Sequence, residues 1–198
     1  MTSFLQALEA RLAAPAPRPV NLPVLPGLPA LESLRESAVL LPLRLRDGEP
    51  HLVFTVRPLT LRSHGGQISF PGGKRELDDP SAEAAALRES EEELGIPRSQ
   101  VRLLGGLDEI FTPTLFRIAP FVGVIPSDLP LTPNPDEVAA VFEAPVRALA
   151  APGVHRVETM ERMGRRWDVD YYPFGDHLIW GATGRILRNF LARANDLL

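Results

Sequence analysis

Short runs of β-branched and aliphatic residues alternate with turn-forming residues through the middle of the chain. The stretches SAVLLPLRL and HLVFTVRPL are separated by RDGEP, and an Asp-Gly pair between two such runs favours a tight hairpin. These two stretches are therefore predicted to be paired strands. Further strands are predicted at GQISFPGG, VRLLGGLDEIF and FRIAPFVGVIP, and DEVAAVFEAP has the pattern of a strand or a mixed segment.

Helical patterns occur at three places. In SAEAAALRESEEEL, Asp79 and Pro80 suit a helix start and Gly95 suits a helix end, so a helix is predicted from about Pro80 to Leu94. The stretch IWGATGRILRNFLARANDLL predicts a closing helix, and residues 3–13 predict a short amphipathic helix. The proline-rich stretch APAPRPVNLPVLPGLPA predicts an extended surface segment, because proline fixes φ and lacks an N–H donor. Strands and helices thus mix without a regular βαβ repeat.

Composition excludes several classes of protein. The chain of 198 residues is 44% hydrophobic and 23% charged, which fits one globular domain. It has no cysteine, so disulfides, thiolate metal sites and cysteine nucleophiles are excluded. It also lacks a signal-peptide pattern and any run near the roughly 20 apolar residues of a membrane span, so a cytoplasmic protein without a membrane partner is predicted. A net charge of −4 provides no positive field for nucleic acid, which is not predicted as a partner.

Four glutamates crowd residues 89–93, near the end of the predicted helix. At about 100° per residue, Glu92 and Glu93 lie about 60° and 40° to either side of Glu89, whereas Glu91 lies about 200° away. Like charges at this spacing cost a few tenths of a kcal/mol per exposed pair, and the helix dipole disfavours carboxylates at this end. A purely structural helix would avoid this arrangement, although a solvated acidic face is the ordinary explanation for a run of glutamates.

A divalent cation would give this helix face a function. Mg2+ takes oxygen ligands and usually retains waters and substrate phosphates in its shell. Three carboxylates share the face, and a glycine pair at residues 72–73 lies before the other end of the helix. The pattern therefore predicts a magnesium–phosphate site, with Mn2+ as the alternative ion. The predicted metal ligands are Glu89, Glu92 and Glu93.

Residues 72–96, GGKRELDDPSAEAAALRESEEELGI, resemble a Nudix box. The last part, Arg-Glu, two residues, Glu-Glu, one residue, glycine and an aliphatic residue, matches in full spacing. In two respects the stretch differs: the intermediate acidic position is Asp79 with one extra residue before Arg88, and Ser90 stands where an aliphatic residue is usual. The resemblance implies an α/β/α sandwich with a mixed central sheet. It places a Nudix hydrolase domain at residues 31–198, after a proline-rich N-terminal extension at residues 1–30.

Residues 53–73, VFTVRPLTLRSHGGQISFPGG, resemble the signature found just upstream of the box in the coenzyme A diphosphatase branch of the Nudix hydrolases. Arg57, Arg62, Gly66 and the Phe-Pro-Gly-Gly ending match it, whereas Pro58 stands where a small residue is usual. Arginine suits a diphosphate substrate because its guanidinium makes bidentate contacts to phosphate. The alternatives are a surface role for the arginines and a plain turn for the glycine pair. The predicted substrate-binding residues are Arg57, Arg62, His64, Gln67, Gly72 and Gly73.

The resemblance implies a metal-dependent hydrolase that cleaves coenzyme A or its derivatives to 3′,5′-ADP and 4′-phosphopantetheine or its acyl form. Water attacks one phosphorus while metal ions neutralise the developing charge. The predicted catalytic residues are Glu92 and Glu93, and Glu92 either completes the metal shell or accepts the proton of the water. Glu137, outside the box, is an alternative general base, although an exposed loop acid is the more ordinary interpretation of that residue.

The same residues are compatible with two other functions. Another nucleoside diphosphate derivative, such as ADP-ribose or a dinucleotide, is the alternative substrate, and a non-catalytic nucleotide-sensing module is the alternative from a different class. The predicted partner is a small-molecule nucleotide, and the sequence leaves a homodimer open. Arg88, about 100° from Glu89, is predicted to orient the glutamates. For Tyr171, Tyr172 and Trp180, core packing is favoured over stacking on the substrate.

Overall fold

The computed structural model describes residues 2–13, 34–60, 65–162 and 165–198. Four α-helices lie within these ranges: α1 (Thr2–Ala13), α2 (Ala82–Leu94), α3 (Val146–Leu149) and α4 (Gly181–Ala194). The strands β1 to β6 are Arg35–Arg46, Glu49–Val56, Ile68–Ser69, Gly72–Lys74, Arg102–Gly106 and Ile110–Phe111. The strands β7 to β11 are Phe116–Val124, Ala140–Pro145, Arg156–Arg162, Arg165–Phe174 and His177–Trp180.

Strand β1 lies in the middle of an eight-stranded sheet. It runs parallel to β7, while β4 and β2 pair with its first and second halves in antiparallel orientation. Strands β3 and β8 pair with β2, and β5 and β6 pair with β7, all of them antiparallel. Asp47 and Gly48 connect β1 to β2. Both have a positive φ, of 50° and 87°, as the two central residues of a type I′ hairpin turn require. The predicted hairpin and the predicted mixed sheet are both confirmed.

Helices cover both faces of this sheet. Because side chains alternate along a strand, Ala38 and Leu40 of β1 pack on one side against α2, and Leu41 and Leu43 point to the other side. There they join a buried cluster that includes Phe190 of α4 and other residues of α1 and α4. The predicted α/β/α arrangement is therefore confirmed. Helix α1 belongs to this body, since Leu8 and Leu12 are buried in the same cluster.

A second sheet, with strand order β11-β10-β9, is antiparallel throughout. Tyr172 and Ile179 join it to the main core, and Tyr171 is also buried. Trp180 stacks on Tyr171 with ring centroids 6.1 Å apart. The favoured core-packing role of the two tyrosines is confirmed.

Several predicted boundaries were wrong for local physical reasons. Helix α2 begins at Ala82, after the N-cap Ser81, whose side chain accepts a hydrogen bond from the Ala84 N–H. The predicted strand GQISFPGG is divided into β3 and β4. The closing helix begins only at Gly181, because the preceding residues form β11.

The proline-rich stretch lies outside the described residues. Within the described ranges, none of the helices is both long and apolar enough to cross a membrane.

Candidate active site

Helix α2 presents a mixed polar and apolar face to the sheet. Its buried residues are Ala85, Ala86, Ser90, Glu93 and Leu94. The helix ends at Gly95, which has a φ of 65° and whose N–H donates to the Glu91 carbonyl at 2.9 Å. This left-handed cap is the reason for a glycine at that position. The cap ends the helix directly after the turn that carries Glu91, Glu92 and Glu93.

Three carboxylates from two parts of the chain meet beside α2. One oxygen each from Glu89, Glu93 and Glu137 lies within 4.8 Å of the other two. Glu137 comes from the loop between β7 and β8 and is half-buried, so its interpretation as an exposed loop acid was wrong. Glu93 is only 3% exposed, and its Oε2 has no hydrogen-bond partner among the described residues. A buried oxygen without a donor, in a cluster of carboxylates, suits a hard divalent cation.

Glu92 does not join this cluster. Its side chain is 52% exposed and its Oε2 accepts a hydrogen bond from Arg88 Nη1 at 2.8 Å. The helical geometry explains the difference, since Glu89 and Glu93 are about 40° apart around the axis but Glu92 and Glu93 are about 100° apart. In this structure the Glu92 carboxylate therefore lies on Arg88 and apart from the other two. The predicted roles of Glu92 as a metal ligand and catalytic residue stay predictions.

Arg88 holds the acidic groups in place, as predicted. Its guanidinium donates to both carboxylate oxygens of Asp79, at 3.1 and 3.0 Å, and to Glu89 Oε1 at 3.1 Å. It also donates to the Lys74 carbonyl at 3.0 Å, which ties the preceding loop to the helix. Asp79, predicted to be the N-cap, is instead a buried partner of Arg88 and of the Glu76 N–H. The hydrogen bonds from Arg88 hold the pKa of Asp79 below its usual range.

The glycine pair leaves room for close neighbours, which are backbone at Gly72 and the Glu89 carboxylate at Gly73. A Cβ on Gly73 would lie 2.4 Å from the Glu89 carboxylate, and a Cβ on Gly72 would lie 2.3 Å from the Ala38 carbonyl oxygen. Gly72 also has a φ of 154°, which side-chain-bearing residues rarely adopt. The two glycines therefore bring β4 against both β1 and Glu89. Their predicted role in binding phosphate stays a prediction.

Burial and like charges make this cluster electrostatically unfavourable without a cation. Burial, together with the charges of Glu89 and Glu137, raises the pKa of the Glu93 carboxyl to about 8. Burial also raises the pKa of Glu89, although Arg88 acts in the opposite direction. A divalent cation would relieve both effects by favouring the ionised carboxylates.

The metal-free protein is expected to lose stability, relative to a Glu93→Gln variant, as the pH rises from 4.5 to about 8. In this range the unfolded chain has ionised Glu93 while the folded chain still holds the proton, so ionisation favours unfolding. Glutamine does not titrate. Thermal unfolding in the presence of a chelator should show a Tm difference between variant and wild type that widens up to about pH 8 and then levels off. A pH-independent difference would contradict the raised pKa.

The structure describes four of the six predicted substrate-binding residues. Arg57 follows β2 and lies close enough to Glu93 to lower the pKa of that carboxyl, and its Nε is buried without a hydrogen-bond partner in the described part of the chain. The Gln67 carbonyl accepts a hydrogen bond from the Arg57 N–H at 3.0 Å, which closes the loop between β2 and β3. Arg62 and His64 lie outside the described residues. The structure thus brings Arg57 and the glycine pair to the carboxylate cluster.

Comparison with known proteins shows that the part of the chain that carries the three carboxylates belongs to a known domain family. A family model described as the NUDIX domain matches residues 34–166. The chain is 42% identical over 154 residues to an uncharacterized Nudix hydrolase NudL of Photorhabdus laumondii, covering 77% of this chain and 81% of the relative. It is 41% identical over 154 residues to an uncharacterized NudL of Escherichia coli K12, covering 78% and 80%. A crystal structure of a MutT/nudix family protein from Enterococcus faecalis shares the fold, with a TM-score of 0.57 and 16% identity over 86% of this chain and 66% of that one.

Proposed function

The chain belongs to the Nudix family, and we propose that it is a divalent-metal-dependent hydrolase that cleaves coenzyme A or its derivatives at the diphosphate. The products are 3′,5′-ADP and 4′-phosphopantetheine, or its acyl form. The observation that carries the proposal is that Arg57, which matches the stretch resembling the coenzyme A diphosphatase signature, lies close enough to the buried Glu93 carboxylate to lower its pKa. A guanidinium, which suits phosphate oxygens, thus lies near the group of carboxylates that suits a metal ion.

The metal ligands proposed from the structure are Glu89, Glu93 and Glu137. Two observations support this choice. The buried Oε2 of Glu93 has no hydrogen-bond partner among the described residues. All three side chains also provide oxygen ligands of the kind that Mg2+ and Mn2+ prefer. When bound, the ion neutralises charge that develops on the phosphoryl oxygens and lowers the pKa of water. Arg88 keeps Glu89 in position, and Gly73 leaves the space that the Glu89 carboxylate occupies.

The substrate is held by Arg57 and the glycine pair, which lie near these carboxylates, together with other residues of the same stretch. In the proposed reaction the oxygen of a water molecule bonds to one phosphorus, and the bond from that phosphorus to the bridging oxygen breaks. Arg57 contributes a positive charge to the diphosphate, since it lies close enough to Glu93 to lower the pKa of that carboxyl. The proposed substrate-binding set also includes Arg62, His64, Gln67, Gly72 and Gly73. The proton of the water is accepted by a carboxylate of the site, for which Glu92 and Glu137 are the candidates.

Arg57→Lys is expected to lower kcat/KM for coenzyme A by roughly ten- to a hundredfold, or about 1.4–3 kcal/mol. Lysine keeps the positive charge but loses the planar guanidinium that binds two phosphate oxygens. Mn2+ affinity, measured by titration calorimetry without substrate, should remain close to that of the wild type. A similar loss from Arg57→Lys in both metal affinity and catalysis would contradict a role on the substrate.

A substrate panel tests the proposed specificity. We expect the wild type, with Mg2+ or Mn2+, to show its highest kcat/KM on coenzyme A or an acyl derivative, compared with 3′-dephospho-coenzyme A, ADP-ribose and a diadenosine polyphosphate. A preference for ADP-ribose or the dinucleotide would reject the coenzyme A assignment and keep the Nudix chemistry. Binding of these nucleotides without any turnover would favour a sensing module instead.

A further inference from the structure

The loop between β7 and β8 is anchored to the C-terminal turn of α2. The Thr132 N–H donates to the Leu94 carbonyl at 2.8 Å, and the Asn134 N–H donates to the Glu93 carbonyl at 2.9 Å. The last carbonyls of a helix have no donors within the helix, so these bonds satisfy groups that would otherwise need water. They also connect the loop directly to the backbone of Glu93. The position of the loop is therefore set by the helix that carries the glutamates.

Asn134 connects this anchor to Glu137 through both its backbone and its side chain. Its carbonyl accepts hydrogen bonds from the N–H groups of Glu137 at 3.1 Å and Val138 at 2.8 Å. Its Oδ1 accepts from the Asp136 N–H at 3.2 Å, and its Nδ2 donates to Glu137 Oε1 across 3.5 Å. One residue thus contacts the backbone of one glutamate of the cluster and the carboxylate of another.

We infer that Asn134 is a positioning residue that orients the Glu137 carboxylate towards Glu89 and Glu93. This inference rests on the proposed metal site, because its effect is exerted through Glu137. The amide suits this role because its oxygen shapes the turn through Asp136, while its nitrogen restrains the carboxylate. Serine is a matched replacement. Its hydroxyl still accepts from the N–H two residues ahead, but its shorter side chain does not reach Glu137.

The inference is tested by a double-mutant cycle read out by Mn2+ binding without substrate. Partners that orient a ligating group typically affect metal affinity ten- to a hundredfold, and the long contact to Glu137 places Asn134 at the lower end. Asn134→Ser is therefore expected to weaken Mn2+ binding by about tenfold. In a Glu137→Gln background the same change should have less than about a twofold effect, since the group through which Asn134 acts has been altered.

Thr132→Ala is the matched control in the same loop. It keeps the backbone hydrogen bond to Leu94, so Mn2+ affinity should stay at the wild-type value. Unchanged Mn2+ affinity in Asn134→Ser, or an equal loss in both backgrounds, would overturn the inference. An equal loss would show that Asn134 stabilises the loop as a whole. If the wild type itself fails to bind Mn2+, the proposed metal site fails together with the inference, whereas Mn2+ binding with no coenzyme A hydrolysis leaves the inference standing.

Discussion

Glu93→Gln is expected to lower kcat/KM by about a thousandfold, the equivalent of the several kcal/mol that a metal ion can contribute to catalysis. Glu93 provides the most buried oxygen of the cluster, and this oxygen has no other partner in the described structure. Glutamine keeps the shape but replaces the carboxylate with a neutral amide. Steady-state kinetics with a titration of Mn2+ measures both the loss of rate and the loss of metal affinity.

The fold should survive this substitution. Because the change removes a carboxyl that is buried among like charges, the Tm of the metal-free variant should equal or exceed that of the wild type. Glu91→Gln is the control on the same helix, since Glu91 is exposed and paired with Arg98 at 2.8 Å, away from the cluster. Its activity should remain within about twofold of the wild type, as expected for a surface ion pair. Equal damage from both substitutions, or a large fall in Tm for Glu93→Gln, would indicate a structural role.

Gly73→Ala is expected to lower activity by about a hundredfold through displacement of Glu89. The added Cβ would overlap the Glu89 carboxylate at 2.4 Å, so the carboxylate or β4 must move. Mn2+ affinity should fall together with kcat, because Glu89 is one of the proposed ligands. Kinetics and calorimetry on the same preparation would show whether the two losses coincide.

Gly106→Ala provides a matched control for this steric effect. A Cβ at that position would meet its nearest neighbour, the Phe121 ring, at 3.7 Å, which is an ordinary contact. It should therefore leave both activity and Mn2+ affinity nearly unchanged. Full activity of Gly73→Ala would show that the position of Glu89 beside β4 is not needed for the reaction.

Local features of the site could be predicted from the sequence. The pairing of Glu89 with Glu93 depends on a spacing of four residues within one helix, and the end of that helix depends on Gly95. The hairpin at residues 47–48 likewise depends on two adjacent residues. In each case the interaction that decides the structure lies within one turn or one short loop, where propensity and spacing are informative.

Non-local features could not be predicted in the same way. Glu137 reaches the cluster because a loop docks on the end of α2 through backbone hydrogen bonds, and backbone donors leave no signal in the residue types. Ser81 and Asp79 are both residue types that cap helices well. Arg88, nine residues after Asp79, donates hydrogen bonds to the Asp79 carboxylate, and Ser81 caps the helix instead. Strand β9 was also missed, since residues 156–161 are exposed and the strand shows no alternation of polar and apolar positions.

The most direct test of the proposed metal centre is the anomalous diffraction of Mn2+ in crystals of the wild-type protein. The structure predicts at least one Mn2+ peak between the carboxylates of Glu89, Glu93 and Glu137, with Glu92 remaining on Arg88. A peak held by Glu92 with Glu137 turned away, or no peak near Glu93 at saturating Mn2+, would contradict this centre.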